Sequence, residues 1–499
     1  MTGAALVLLL AAPVWGANEE CRPCHTTIVE AFGKTGMGRS IQERPVSFDG
    51  EFYHKLSNRH YQVANGVMRR FQLDGAKQEI NKIEKRVDFA IGSGNHAVTY
   101  VHRTDQGRLL ELPLSWYRSL NGWGMSPGYD SPVHQDMRRE ISDACLFCHA
   151  GYPESREARA RPRSINCTRC HGPAEAHLKK PVKGTIVNPA RLPAARRLEV
   201  CLQCHLETVS QGIADSFRQP GRDVFSFRPG EALESYKVYF DRADAAEPRF
   251  EVNHAGYRLL KSACYRKSGG RMTCTTCHDP HTARARNGCI ECHQQVKHSR
   301  QVGTDCAACH MGKRATNDAP HVVMTDHWIR VKPAETKADH AAYQGPVVPF
   351  YTKADADTLA MANIRLPDAA AVALYERRLA RDGKDIGARA ALANTLLRLG
   401  RREAAISEAE RVLRQERDHV GALLTLGVAR AMAGEHARAL ELLQRAQRAN
   451  PDHALTWLNL GVTHVAMGQR EEAERAFREA IRLQPDFAEA RQRLAELGR

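Results

Sequence analysis

The chain has 499 residues, 72 lysines and arginines against 57 acidic residues, and 15 cysteines. That length is enough for two or three domains, and a formal charge of +15 would ordinarily point to a polyanionic partner. The cysteines argue against that, because their pattern brings anionic groups of its own.

Fourteen of the cysteines form seven C-x-x-C-H motifs. These are Cys21, Cys24 and His25; Cys145, Cys148 and His149; Cys167, Cys170 and His171; and Cys201, Cys204 and His205. After a gap come Cys274, Cys277 and His278; Cys289, Cys292 and His293; and Cys306, Cys309 and His310. Only Cys264 is left over, and a buried thiol is its expected role. Chance would supply about 0.02 copies of the pattern at this composition. Two thiols two residues apart reach both vinyl groups of one porphyrin, and the adjacent histidine becomes the proximal iron ligand. A zinc ribbon pairs two C-x-x-C units per metal and has no use for the following histidine. The expectation is seven haem c groups. Each contributes about one negative charge, which brings the total to about +8 and removes the case for nucleic acid.

In chain order, residues 1–17 read as a signal peptide. Leu6 to Val14 is apolar but too short to span a bilayer, and Gly16 and Ala17 offer a cleavage site. The basic n-region is missing, which places this start inside a longer signal; a buried N-terminal helix is the competing reading. No later segment is long and apolar enough for an integral span. The expected location is therefore outside the cytoplasm, in the periplasm or at the cell surface.

Residues 18–332 form the expected seven-haem region, with β-hairpins over about 46–120. Tyr53 to Leu73 alternates around Asn65-Gly66, a hairpin signal, and Ala97 to Trp116 alternates around Asp105-Gln106-Gly107. The glycine-rich loop Ile91 to His96 lacks the helix and the Lys-Ser/Thr that a phosphate loop needs. The six remaining motifs fall between about Ser131 and Lys332. Regular structure is sparse there, and the haems are expected to supply much of the core.

Residues 333–367, rich in Pro, Gly and Ala, read as a linker. Residues 368–499 then repeat with a 34-residue period: Gly400, Gly434 and Gly468 align, as do Ala405, Ala439 and Ala473. Pro451 matches Pro485, and Gly427 matches Gly461. This is the tetratricopeptide (TPR) pattern, about three repeats with flanking helices. Its histidines (His419, His436, His453 and His464) read as surface or packing residues. The fold class is mixed: a multihaem cytochrome c domain with little regular secondary structure and an N-terminal β-hairpin region, followed by an all-α TPR solenoid.

The haem region resembles the multihaem cytochromes related to the tetrahaem cytochrome c of nitrifying bacteria, including proteins with doubled CXXCH motifs and C-terminal TPRs. The resemblance lies in TGMGRS (Thr35 to Ser40), GSGNHA, LPLSWY, MSPGYD, CHGPAEAH, CTTCHDPH, CHMGKR and TDHWI (Thr325 to Ile329). It implies bis-histidine haems in stacked and branched arrangement and a role in electron transfer. It also implies that His177 and His281 ligate neighbouring haems.

Twelve histidines in residues 1–340 lie outside the motifs, more than seven sixth ligands require. Besides His177 and His281, the candidates are His96 after the flexible Gly-Ser-Gly, and His134 eleven residues before the second motif. His321 and His327 follow the last motif, and His54 lies on the first hairpin with His60 as its competitor. For each the alternative is a hydrogen bond to a haem propionate, which suits His102, His254, His298 and His340 better. Met37, twelve residues after His25, could give one haem a thioether ligand and a higher potential; packing against a ring is its other reading.

Function follows as electron transfer between protein redox partners, with the TPR array docking proteins or peptides. The rival is a multihaem oxidoreductase acting on a small nitrogen or sulfur compound at one open-site haem. The chain has no C-x-x-C-K motif and abundant histidine, and it reads as a carrier rather than an enzyme.

Overall fold

The structure, a computed structural model, describes residues 18–43, 49–208, 216–244, 249–286, 288–295, 305–331, 343, 345–363 and 368–498. The expected signal segment, His298 and His340 lie outside these residues.

The N-terminal part is β-rich. Strands Gly50–His54, Arg59–Ala64, Val67–Leu73 and Glu79–Arg86 form an antiparallel meander. Asn65 and Gly66 both have positive φ (52° and 72°), as a tight hairpin turn matched to strand twist requires, and Ala64 pairs with Val67 across it. Burial alternates along Arg59–Ala64, so Arg59, Tyr61 and Val63 point inward, facing Met68 and Arg70 of the next strand. Two arginines thus occupy positions where the pattern would ordinarily place apolar side chains.

The second sheet is built on the hairpin Ala97–Arg103 and Leu109–Tyr117. Leu110, Leu112 and Leu114 are fully buried on its central strand. Ile41–Glu43, Phe89–Ile91, Gly122–Met125 and Arg139–Glu140 extend it. The β region therefore reaches Glu140, beyond the expected boundary near residue 120, because edge strands of two to four residues leave no alternation to read.

Residues 141–331 carry mostly short helices, many of them on the C-x-x-C-H motifs. The segment expected as a linker is ordered in its described part. Val347–Phe350 pairs with Lys237–Arg242, and Val347 and Ala362 are buried with Val238 and Phe240.

Eight helices follow, from Asp368–Arg381 to Ala488–Leu497. Gly400, Gly434 and Gly468 turn the chain between paired helices at φ 74°, 78° and 73°, a conformation that favours glycine. The helix Ala454–Ala466 meets Arg470–Leu483 at Gly461, where a Cβ would overlap the Phe477 ring. Ala405, Ala439 and Ala473 are fully buried, so the repeat is a packing repeat.

The helical array is docked on the first sheet. Ala454, Leu483, Trp457 and Phe487 share a core with Tyr61, Met68 and Ile83. Around this contact Arg59 pairs with Asp486 (3.0 Å) and Lys85 with Asp452 (2.8 Å). Arg70 donates to the carbonyl of Arg482 (3.1 Å) at the C-terminus of its helix, where carbonyls lack intrahelical donors. Asp136, fully buried, sits 2.6 Å from Arg70 and 3.7 Å from Arg59.

Burial alone would raise the Asp136 pKa, but Arg70 and Arg59 hold it below the ordinary carboxylate value. Burial, then the Arg59 charge, push His134 down to about 3. The unfolded chain takes up both protons more readily than the folded one, so stability falls on acidification. The His134 contribution is lost between about pH 6.5 and about pH 3, with a slope of up to about 1.4 kcal/mol per pH unit. His134→Gln is expected to flatten the acid limb of the urea midpoint against pH by about one proton. An unchanged slope would exclude His134 from this network.

Candidate haem-binding site

Each motif occupies about one helical turn, free-standing in the third, sixth and seventh and part of the longer helices Arg22–Gly33 and Ala194–His205 in the first and fourth. The main-chain N–H groups of His25, His171, His278 and His293 donate to the carbonyl of the first cysteine of their own motif, at 2.9, 2.9, 2.9 and 2.8 Å. Residues i, i+3 and i+4 of such a turn share one face, which aims two thiols and an imidazole the same way. Local caps start some of these turns: the Asp305 carboxylate accepts from Ala308 N–H (3.2 Å).

The turns adjoin one another in a definite order. Cys21 lies beside Cys167, whose thiol donates to Asn18 Oδ1 (3.0 Å), joining the start of the first motif to the third. The Cys148 thiol lies 4.0 Å from the Cys204 carbonyl and the Cys204 thiol 3.8 Å from the Phe147 carbonyl, joining the second motif to the fourth, and Arg169 Nη2 of the third lies 3.7 Å from Cys204 Sγ. Cys201 lies beside Cys274, which brings in the fifth motif. Cys289 of the sixth interacts with Cys306 of the seventh and Cys277 of the fifth, with Cys264 nearby. The attachment turns therefore run first, third, fourth, fifth, sixth, seventh, with the second joining at the fourth. No disulfide joins any of the fifteen cysteines.

Three motif histidines face a histidine from another segment. The ring centroids of His25 and His177 are 6.5 Å apart, those of His171 and His281 6.1 Å, and those of His278 and His327 6.1 Å. The interplanar angles are 15°, 11° and 32°. A metal-bound imidazole nitrogen lies about 2 Å from the ion and the ring centre about 1 Å beyond, so two imidazoles across one metal have centroids about 6 Å apart. The donor set fits a bis-histidine haem.

Several of these rings are also oriented by a second bond. The Nδ1 atoms of His171, His310 and His327 hydrogen-bond the carbonyls of Val187 (2.9 Å), Arg330 (2.6 Å) and Thr325 (3.0 Å). His177 Nδ1 bonds the Thr185 hydroxyl at 2.9 Å. An Nδ1–H committed to oxygen leaves Nε2 as the metal-binding nitrogen. Burial holds His327 below the ordinary histidine pKa.

The other sequence candidates lie elsewhere. His54 bonds Ser57 (2.7 Å) and Asp130 (3.2 Å). His134 is buried in the sheet–array network, with Arg59 2.8 Å from its Nε2 and Asp136 N–H donating to its Nδ1 (3.1 Å). In both, each ring nitrogen has a protein partner, and neither ring is paired with a motif histidine. His321 packs against Tyr117. His96 is exposed at the end of its loop, which packs on the turn holding Met37. That turn leads to Ser40, whose hydroxyl donates to the His149 carbonyl (2.7 Å).

Sequence reasoning gave no role to Arg258 or Asp326. Arg258, on Ala255–Lys261, is fully buried and grips Asp326 through Nε (2.8 Å) and Nη2 (2.5 Å). Asp326 also accepts from Arg314 (3.2 Å) and from Trp328 N–H (2.9 Å). The segment 325–330 is thereby fixed with His327 opposite His278, and Arg330 N–H donates to the His310 carbonyl (3.2 Å). Gly256 on the same helix lies against motif four, where a Cβ would come within 2.5 Å of the His205 carbonyl. Only the TDHWI string marked this segment in sequence; nothing marked Arg258.

Residues 390–454 and 430–497 each match a tetratricopeptide-repeat family model, so the C-terminal region is a TPR array. Among solved structures the chain is similar to MamA, at 23% identity over 29% of this chain and 84% of that one, with a TM-score of 0.26. It is also similar to a thermophilic TPR protein of Thermus thermophilus, at 30% identity over 28% of this chain and 74% of that one (TM-score 0.25). A search of curated proteins finds no match. Among the described residues no helix is long and apolar enough to cross a membrane.

Removing one partner of a buried ion pair leaves the other charge uncompensated, at a cost of about 3–5 kcal/mol. Asp326→Ala is expected to destabilise the protein by about that much in urea. The double variant Arg258→Met with Asp326→Leu should lose less, because the fully buried Arg258 charge goes with it and only the partly exposed Arg314 is left without its partner. Equal losses would mean that the pair does not act as a unit.

Proposed function

We propose that the chain is an exported electron-transfer protein carrying seven covalently bound haems, working in the periplasm or at the cell surface, with its TPR array as the docking site for a protein partner. The observation that carries this reading is the set of three imidazole pairs. Each joins a motif histidine to a histidine from another stretch of chain, at a separation suited to one iron.

In this reading His25, His149, His171, His205, His278, His293 and His310 hold the irons from the motif side, and the fourteen motif cysteines hold the porphyrins. His177, His281 and His327 supply sixth ligands. The bound haem supplies one-electron chemistry, with potentials set by axial ligands, burial and nearby charge. The polypeptide fixes the ligand rings through their Nδ1 bonds and keeps the attachment turns in contact. Two histidines on an iron leave no position for a substrate, which favours a carrier at these three sites. The continuous order of turns suits passage of electrons from the first or second motif towards the seventh.

The array contributes a rigid docking platform. Its salt links and shared core with the first sheet fix the position of a bound partner relative to the attachment turns.

Protein matured in a cytochrome-c-competent host should show the mass of seven haems per chain by intact mass spectrometry. His177→Ala, His281→Ala and His327→Ala should each retain that mass while converting one low-spin ferric signal to high-spin in electron paramagnetic resonance. Five haems or fewer in fully matured protein, or variants with unchanged spectra, would overturn the assignment.

A further inference from the structure

We infer that the segment 178–187 is the docking surface for a small acidic one-electron carrier protein, which exchanges electrons with the haem of the first motif. This rests on the haem reading above and adds a second partner surface to the array proposed there.

The segment joins two sites. His177, just before it, stands across from His25 of the first motif. Val187, at its end, holds His171 of the third: its carbonyl bonds His171 Nδ1 (2.9 Å) and its N–H donates to the His171 carbonyl (3.2 Å). Between them the chain is drawn tight from the inside. The Thr185 hydroxyl bonds His177 Nδ1 (2.9 Å) and donates to the Val182 carbonyl (2.7 Å). Val182 N–H donates to the Lys180 carbonyl (2.8 Å), and Gly184 turns the chain at φ 94°, a conformation that favours glycine.

The outer side is basic. Residues 176–198 include six lysines and arginines and no acidic residue. Arg196 pairs with Glu199, and Arg197 donates to the carbonyls of Ala190 and Leu192. Lys179, Lys180, Lys183 and Arg191 are exposed, and none of the four makes an ion pair among the described residues. Leu178 and Val182, each 46% exposed, stand among the lysines.

An aliphatic centre with a charged rim is the composition of a protein–protein contact. With no carboxylate in the patch, the complementary partner is acidic. An anionic lipid surface would attract the same lysines. The placement favours a redox protein, because this short stretch runs from the sixth ligand of one site to the carbonyl that orients the ligand of another. On docking, one electron passes between the partner's redox centre and the iron held by His25 and His177. One centre is oxidised as the other is reduced, and no bond is made or broken.

The test uses the full chain, matured with its haems. Intact mass comes first: wild-type protein without haem fails the haem reading and overturns this inference with it. With seven haems, the oxidised protein is mixed by stopped flow with flavodoxin hydroquinone, an acidic flavoprotein that gives up one electron. The second-order rate of haem reduction should fall steeply with added salt. The triple variant Lys179→Glu, Lys180→Glu and Lys183→Glu should lower that rate by about tenfold or more at low ionic strength. Lys55→Glu, Lys77→Glu and Lys384→Glu together change the net charge equally, at exposed positions elsewhere, and should lower it by less than about twofold. Equal losses in the two triple variants would overturn the inference, as would a wild-type rate indifferent to salt, which needs no variant. An unmoved rate in the first triple variant would overturn it too, and loss of its binding to phosphatidylglycerol vesicles would then assign the segment to a lipid surface.

Discussion

A helical turn brings residues i, i+3 and i+4 to one face, and the middle of this protein depends on that single geometric fact. The turns that use it are short, four or five residues at Thr168–His171, Cys289–Cys292 and Cys306–His310, far below the length at which a helix persists alone. Contacts between motifs therefore have to hold them. Asn18 Oδ1 accepts from Cys167 N–H (3.0 Å), binding the start of the first motif to the third. Ser40 ties the turn after the first motif to the second, and Asn253 donates to the Cys204 carbonyl. The turns at the second, third and fourth motifs are thus steadied by polar groups belonging to other segments, so there the spacing between motifs and the stability of each turn have the same cause.

Buried arginines are the second recurrent device. Arg59 and Arg70 enclose Asp136, Arg258 grips Asp326, and Arg169 stands between aromatic rings. Such pairs contribute little net stability compared with apolar packing, because desolvation offsets the attraction. What they provide is a unique geometry: a guanidinium fork accepts few orientations of its partner. Asp326 is one residue from His327, and Asp136 is two from His134. In both places the ion pair fixes the path of a loop that has little apolar surface to do so.

The sequence was most readable where one residue type does one thing. Seven identical motifs define the attachment turns, Asn65-Gly66 defines a hairpin, and a 34-residue period of glycine and alanine defines the helical array. Contacts made across long separations left no local mark. Arg70 and Leu483 are more than four hundred residues apart, and nothing near either announces the contact, so the docking of the array on the first sheet was unreadable. The same holds for His54 and His134, whose type suited iron and whose surroundings of Arg59, Asp136, Ser57 and Asp130 suit a polar network. His177, His281 and His327 were readable through the strings that contain them, and each stands across from a motif histidine. The Pro- and Ala-rich stretch before the array hid a strand of four residues, because so short an edge shows no period.

The docked array changes how the two halves relate. A repeat array on a free tether would bring a partner near the haem region at an effective concentration set by tether length. Here the helix Arg470–Leu483 ends against Arg70, and Phe487 and Trp457 enter the core of the sheet. The second sheet shares that core through Leu112 and Leu114 and leads through Phe89–Ile91 and Ile41–Glu43 to Ser40 and so to the His149 carbonyl. A partner seated on the array is thus referenced, through packed strands rather than a flexible segment, to the second attachment turn, which joins the others at the fourth. For the electron transfer proposed above, which would depend steeply on separation, a fixed reference of this kind would hold the transfer distance constant from one encounter to the next. The same rigidity fixes the orientation in which any protein docked on the array meets the motif region.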